Sequence, residues 1–117
     1  MTSEYIIYHN PRCSKSRNTL ELLRNAGVAP TIIEYLEAPP SVDELRQILA
    51  KLSLKPRELM RTKEAQYADQ GLDDPTLNDD QLIATMVEHP VLIERPIVIK
   101  GSKAVIGRPP ENVLALI

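Results

Sequence analysis

The sequence predicts one α/β domain over residues 1–117, built on a mixed sheet in the order βαβ, helical insertion, ββα. Three observations predict it. Apolar, β-rich runs stand towards both ends of the chain, at residues 4–8 and 31–35 and again at 97–100 and 103–106. Helical periodicity and helix caps fill the stretch between them. At 117 residues and 13.1 kDa the chain is of one-domain size, able to bury about two thirds of its unfolded surface.

Each element follows from its residues. Glu4-Tyr5-Ile6-Ile7-Tyr8 is apolar without alternation, as in a strand buried on both faces, and His9-Asn10-Pro11 is a loop signal that ends it. From about Ser16 the pattern is helical, with Leu20 and Leu23 inward, Leu22 beside them and Gly27 as a stop. Thr31-Ile32-Ile33-Glu34-Tyr35 reads as a second strand, and short links imply a right-handed βαβ unit with parallel strands. Ala38-Pro39-Pro40 breaks the chain. Ser41-Val42-Asp43-Glu44 is a capping box, opening a helix with Leu45, Ile48, Leu49 and Leu52 on one stripe. Residues 56–70 are helix-compatible but less periodic, and end at Gly71. Asn78-Asp79-Asp80-Gln81 is a second cap, ahead of Leu82, Ile83, Met86 and Val87. Gly101-Ser102 is the two-residue loop of a tight hairpin. Pro110 suits the first turn of a last helix through Val113, Leu114 and Ile117. This is the element order of a thioredoxin-like fold with a helical insertion.

Composition narrows the function. Fourteen basic against 16 acidic residues give a net charge of −2, which opposes nucleic-acid or anionic-membrane binding. No apolar run nears the ~18 residues of a membrane span, and Glu4, His9, Asn10 and Pro11 interrupt any export signal. A soluble, cytoplasmic protein is expected, and the acidic balance without a heptad repeat favours a monomer. With four Tyr and no Phe or Trp, the core must come from Leu, Ile and Val.

The single cysteine, Cys13, excludes an internal disulfide and any multi-cysteine metal site. With only His9 and His89 besides, no metal is expected, and His89 reads as a helix C-terminal residue facing the dipole. A lone cysteine can be an inert buried hydrophobe. Cys13, however, stands between a buried strand and its crossover helix, where unpaired N–H groups and the helix dipole favour thiolate. Arg12, Lys15, Arg17 and His9 add to that. Cys13-Ser14-Lys15-Ser16 is C-x-x-S, so a hydroxyl occupies the place of a resolving thiol. Redox turnover would need a second thiol from another molecule, glutathione or a glutaredoxin. A phosphatase-type loop is excluded because the sixth residue after Cys13 is Thr19, not Arg. Glycines stand only at 27, 71, 101 and 107, so no dinucleotide fingerprint is present.

The stretch from His9 to Leu20, His-Asn-Pro-Arg-Cys-Ser-Lys-Ser-Arg-Asn-Thr-Leu, resembles the glutaredoxin-coupled arsenate reductase family. Tyr35-Leu36-Glu37-Ala38-Pro39-Pro40, Glu58-Leu59-Met60-Arg61, His89-Pro90, Glu94-Arg95-Pro96-Ile97-Val98 and Gly107-Arg108-Pro109 resemble further family blocks in the same order. Ser14-Lys15 and the chain length are similar to a short-tailed branch. The resemblance implies a thioredoxin-like domain that reduces arsenate to arsenite, with glutathione as co-substrate, glutaredoxin as partner and no bound cofactor. It implies Cys13 as nucleophile, His9 favouring its thiolate and Ser16 hydrogen-bonding the sulfur. Arg61, Arg95 and Arg108 would bind the oxyanion, with paired donors that match its oxygens. It also implies a cis peptide at Arg95-Pro96. Two alternatives share the fold: a glutathione-dependent thiol transferase that leaves the arginines idle, and an Spx-like protein-interaction regulator. The latter characteristically carries a C-x-x-C switch, which the single cysteine lacks.

Overall fold

Four strands, β1 (Tyr5–His9), β2 (Thr31–Glu34), β3 (Ile97–Lys100) and β4 (Lys103–Ile106), form one sheet in the order β2-β1-β3-β4. The computed structural model describes residues 4–117. β1 and β2 are parallel and joined by helix α1 (Ser14–Asn25), whereas β3 runs antiparallel to β1 and β4 to β3. The predicted mixed α/β order is the one observed. The registers pair His9 with Glu34, Tyr8 with Ile97 and Ile97 with Ile106. The C-terminal ends of β1, β2 and β4 and the start of β3 therefore lie together at one end of the sheet. That alignment positions the site.

The chain divides into two compact units. The first comprises residues 4–38 and 95–117 and holds the sheet. Its core is Ile7, Leu20, Leu23, Val98, Val113 and Leu116, with Tyr5, Leu22, Val28 and Val105 packed around it. Each such side chain, once buried, contributes about 1.5–3 kcal/mol of transfer free energy. Leu, Ile and Val dominate as expected, but Tyr8 and Tyr35 are buried too. The second unit, Pro39–Glu94, is helical: α2 (Val42–Leu52), α3 (Pro56–Leu59), α4 (Ala65–Asp69) and α5 (Asp79–Glu88). The predicted capping box forms between Ser41 and Glu44, and the predicted cap at Asn78 is itself a capping box with Gln81. Leu45, Ile48 and Leu49 of α2 and Leu82, Ile83 and Met86 of α5 are buried. No helix among the described residues is long and apolar enough to cross a membrane.

Several elements differ from the expectation. The first strand runs one residue further, so His9 is its last residue rather than loop. The first helix starts at Ser14, two residues early, which makes Cys13 its N-cap. The last element is a 3-10 helix, Pro110–Leu116, rather than an α-helix. With three residues per turn, Val113 and Leu116 share the buried face, while Leu114 and Ile117 are about half exposed, at 50% and 51%. The 56–70 stretch is split into α3 and α4 by an extended Met60, which forms a bridge with Ile93. At the hairpin Gly101 has φ +59, a left-handed conformation that a side chain would strain. Arg95–Pro96, as the resemblance implied, and Arg108–Pro109, which it did not, are cis.

Gly107 fastens the end of β4 to the rest of the sheet unit. Its N–H donates to the Pro96 carbonyl at 2.9 Å. A Cβ there would lie 2.8 Å from Pro96 Cγ and 3.0 Å from Thr19 Cγ2, and closer still to Thr19 Oγ1. Gly107→Ala is expected to destabilise the protein by about 1–3 kcal/mol through overpacking. Urea denaturation reads this as a lowered midpoint at unchanged slope, and an unchanged midpoint would refute the packing argument.

Candidate active site

The chain turns from β1 into α1 through Asn10, three of whose four polar groups act locally. Its carbonyl accepts the Cys13 N–H at 3.0 Å. Its N–H donates to Ser16 Oγ at 3.1 Å, and its Oδ1 accepts the Arg12 N–H at 3.0 Å. Asn10 is only 7% exposed, so each bond satisfies a group that burial would otherwise leave costly. Asn side chains favour such turns because they accept from the backbone two residues on.

Cys13 is half-buried at the N-cap of α1, and Arg17 N–H donates to its carbonyl at 3.0 Å. Its sulfur makes no full cap hydrogen bond of the kind a Ser or Asp oxygen makes, and the first-turn amides act on it more weakly. Burial is the largest single influence on the thiol and pushes its pKa up. The Ser16 N–H, the Arg95 side chain, the Lys15 N–H and the Arg95 charge together outweigh it. The net shift is downwards, towards thiolate.

The groups responsible differ from those nearest in sequence. Neither Arg12 nor Arg17 is among them, and Lys15 contributes its backbone N–H rather than its ammonium. Arg17 donates instead to the Pro11 carbonyl at 2.9 Å. The cation on the sulfur is Arg95, which arrives from the start of β3 because Tyr8 and Ile97 pair across the sheet.

Ser16 is fully buried, and its hydroxyl meets His9 Nδ1 at 2.6 Å besides accepting from Asn10. Its backbone N–H, not its hydroxyl, is the Ser16 group that lowers the Cys13 pKa. His9 touches Ser16 and is not among the groups that shift Cys13. Burial lowers the His9 pKa against the opposing charge of Glu34, and Arg24 and Arg17 lower it further. His9 is therefore held neutral at neutral pH, and its ring orders the serine at one remove from the thiol.

Arg108 follows Gly107 at the same end of the sheet and precedes the second cis proline. Arg61 belongs to the helical unit. Its N–H donates to the Leu92 carbonyl at 2.7 Å, its Nε to Glu64 Oε1 at 3.0 Å and its Nη1 to Glu94 Oε1 at 2.7 Å. Burial works against the charged form, but the two glutamates prevail and raise its pKa, so Arg61 stays a cation. His89 caps the end of α5 with its N–H on the Thr85 carbonyl at 2.8 Å.

Sequence reasoning missed Asn10, Thr19, Gly107 and the two glutamates on Arg61. Asn-Pro ahead of the cysteine carried a signal for the Asn10 turn. The contacts of Thr19 with Gly107 and of Arg61 with Glu94 join residues 88 and 33 apart, and only the fold reveals them.

A half-buried cysteine at a helix N-terminus, with amides and an arginine on its sulfur, is a thiolate site in a thioredoxin-like fold. The chain belongs to the ArsC family, whose model matches residues 8–116. Arsenate reductase of Haemophilus influenzae is 52% identical over 113 residues, covering 96% of this chain and 97% of that protein. The protein YfgD of Escherichia coli, whose function is uncharacterised, is 51% identical and covers 100% of this chain and 99% of its own. The solved structure of arsenate reductase from Vibrio cholerae is 52% identical, with TM-score 0.97 over 100% of both chains.

Arg95→Ala is expected to raise the Cys13 pKa, because one donor and one charge leave the sulfur together. Lys15→Ala keeps the backbone N–H and is expected to leave it in place. The pH profile of alkylation by iodoacetamide checks both. The rate rises with pH as thiolate forms, and the wild-type midpoint lies below that of Arg95→Ala. Coincident profiles for wild type and Arg95→Ala would refute the assignment.

Proposed function

We propose that the protein is an arsenate reductase in which the Cys13 thiolate attacks arsenic and glutathione and glutaredoxin supply the electrons. The observation that carries this reading is the half-buried Cys13 with Arg95 on its sulfur. A thiolate and an oxyanion repel, and a guanidinium shared between them offsets that repulsion while offering paired donors to the oxyanion. Arsenate reductases about half identical to this chain over nearly its whole length support the substrate.

In the first step a sulfur–arsenic bond forms and an arsenate oxygen leaves as water after taking a proton. Glutathione then displaces a second oxygen, also as water, and places its sulfur on arsenic. A glutaredoxin thiolate attacks that sulfur. The sulfur–arsenic electron pair stays on arsenic, which falls from the +5 to the +3 state, and the two electrons come from the two external thiols now joined as a disulfide. Water then releases arsenite and restores Cys13. Such an external route suits a chain whose C-x-x-S segment holds no second thiol.

Arg95 and Arg108 would hold the oxyanion and the arsenic adduct from the sheet unit, and Arg61, on the helical unit, is a further candidate for binding the oxyanion. Ser16 and its neutral His9 would keep the first turn of α1 aimed at the sulfur. No bound cofactor is required. The enzyme would act as a monomer in the reducing cytoplasm, where glutathione is available.

NADPH-coupled arsenate reduction with glutathione and glutaredoxin tests this. Cys13→Ser is expected to fall to the blank, and Arg95→Ala to lose roughly 10²-fold in kcat/KM. Arg61→Ala and Arg108→Ala are expected to raise the KM for arsenate. No wild-type turnover, with Cys13 still alkylated as a thiolate, would sink the arsenate reading.

A further inference from the structure

A cavity of about 290 Å³ opens between the β1–α1 turn and the segment after β2, lined in part by His9, Arg12, Glu34, Leu36 and Glu37. Among the described residues no ion pair or side-chain hydrogen bond engages Arg12, Glu34 or Glu37. One guanidinium and two carboxylates thus line one small space, with Leu36, 42% exposed, as its apolar wall. Two carboxylates repel an oxyanion, so the cavity is unsuited to arsenate. It suits a zwitterion, whose ammonium can meet the glutamates while its carboxylate meets the arginine.

Building on the reductase reading, we infer that this cavity seats the amino-acid head of the γ-glutamyl thiol that attacks the Cys13 adduct. The α-ammonium lies on Glu34 and Glu37 and the α-carboxylate on Arg12. Arg12 immediately precedes Cys13, so the cavity opens beside the turn that carries the nucleophile. The γ-glutamyl arm and cysteinyl residue then span about 7 Å, two extended residues. Cys13 does not line the cavity, so a seated thiol and an oxyanion on the sulfur need not compete for one space. The assignment gives Arg12 a use outside the thiol's electrostatics, where it has none.

The test uses the full-length Cys13→Ser protein, isotope-labelled and titrated with glutathione while amide shifts are followed. Saturable shifts centred on Arg12, Leu36 and Glu37 are expected. Glu37→Lys, and the glutathione analogue lacking the α-amino group, are each expected to bind roughly fivefold or more weakly. Glu37→Gln gives the same direction without reversing the charge, and the spectrum itself reports whether each variant is folded. Shifts elsewhere, or equal binding by the deamino analogue and the variants, would overturn the subsite. No arsenate is present, so the two readings separate. Turnover without cavity binding overturns the subsite alone, whereas cavity binding without turnover overturns the reductase reading and leaves the subsite supported.

Discussion

The turn between β1 and α1 must hold a sulfur that is half withdrawn from water and still favour its charged form. Burial by itself favours the neutral thiol, and it is the largest single influence on Cys13. The balance reverses only because several donors converge on one atom: the amides of the first helical turn and a guanidinium from the start of the neighbouring strand β3. None outweighs burial alone, so the position of each matters. The Asn10 bonds fix the turn, the Ser16 hydroxyl is held between His9 and the Asn10 N–H, and the Ser16 amide is thereby aimed.

The rest of the sheet unit serves that convergence. Parallel pairing of β1 with β2 demands a crossover helix, and a crossover helix starts where β1 ends. Antiparallel pairing of β3 with β1 brings the start of β3, and hence Arg95, to the same end. The β3–β4 hairpin returns the chain to that end once more, where buried Gly107 lets its backbone close on Pro96 and Thr19. Three segments far apart in sequence meet through strand register alone, and a one-residue slip would turn their side chains to the opposite faces.

Arg61 illustrates a different balance. Within its helical unit it faces two carboxylates at hydrogen-bonding distance, and a partly buried guanidinium is stable there because they offset its desolvation. The same pair reduces the positive field Arg61 can offer an anion. Arg95 is the opposite case, since it acts directly on the sulfur.

Local chemistry was legible from the sequence alone. The capping boxes at Ser41 and Asn78, the leucine stripe of α2, the Gly101-Ser102 hairpin and the parallel strands around α1 follow from spacing, propensity and turn residues. Cys13 as the one candidate thiolate follows from its place between strand and helix. The sequence could not decide which cations reach it. Arg12, Lys15 and Arg17 are neighbours along the chain, but on a helix or turn adjacent side chains diverge. Arg95 is 82 residues away and meets the sulfur through strand pairing. The same reason explains the Thr19–Gly107 closure, the glutamates on Arg61 and the 3-10 form of the last helix, where tertiary packing chose Val113 and Leu116 over an α-helical stripe. Periodicity and capping depend on residues a few positions apart. Charge and close packing depend on distance in space, which only the folded sheet determines.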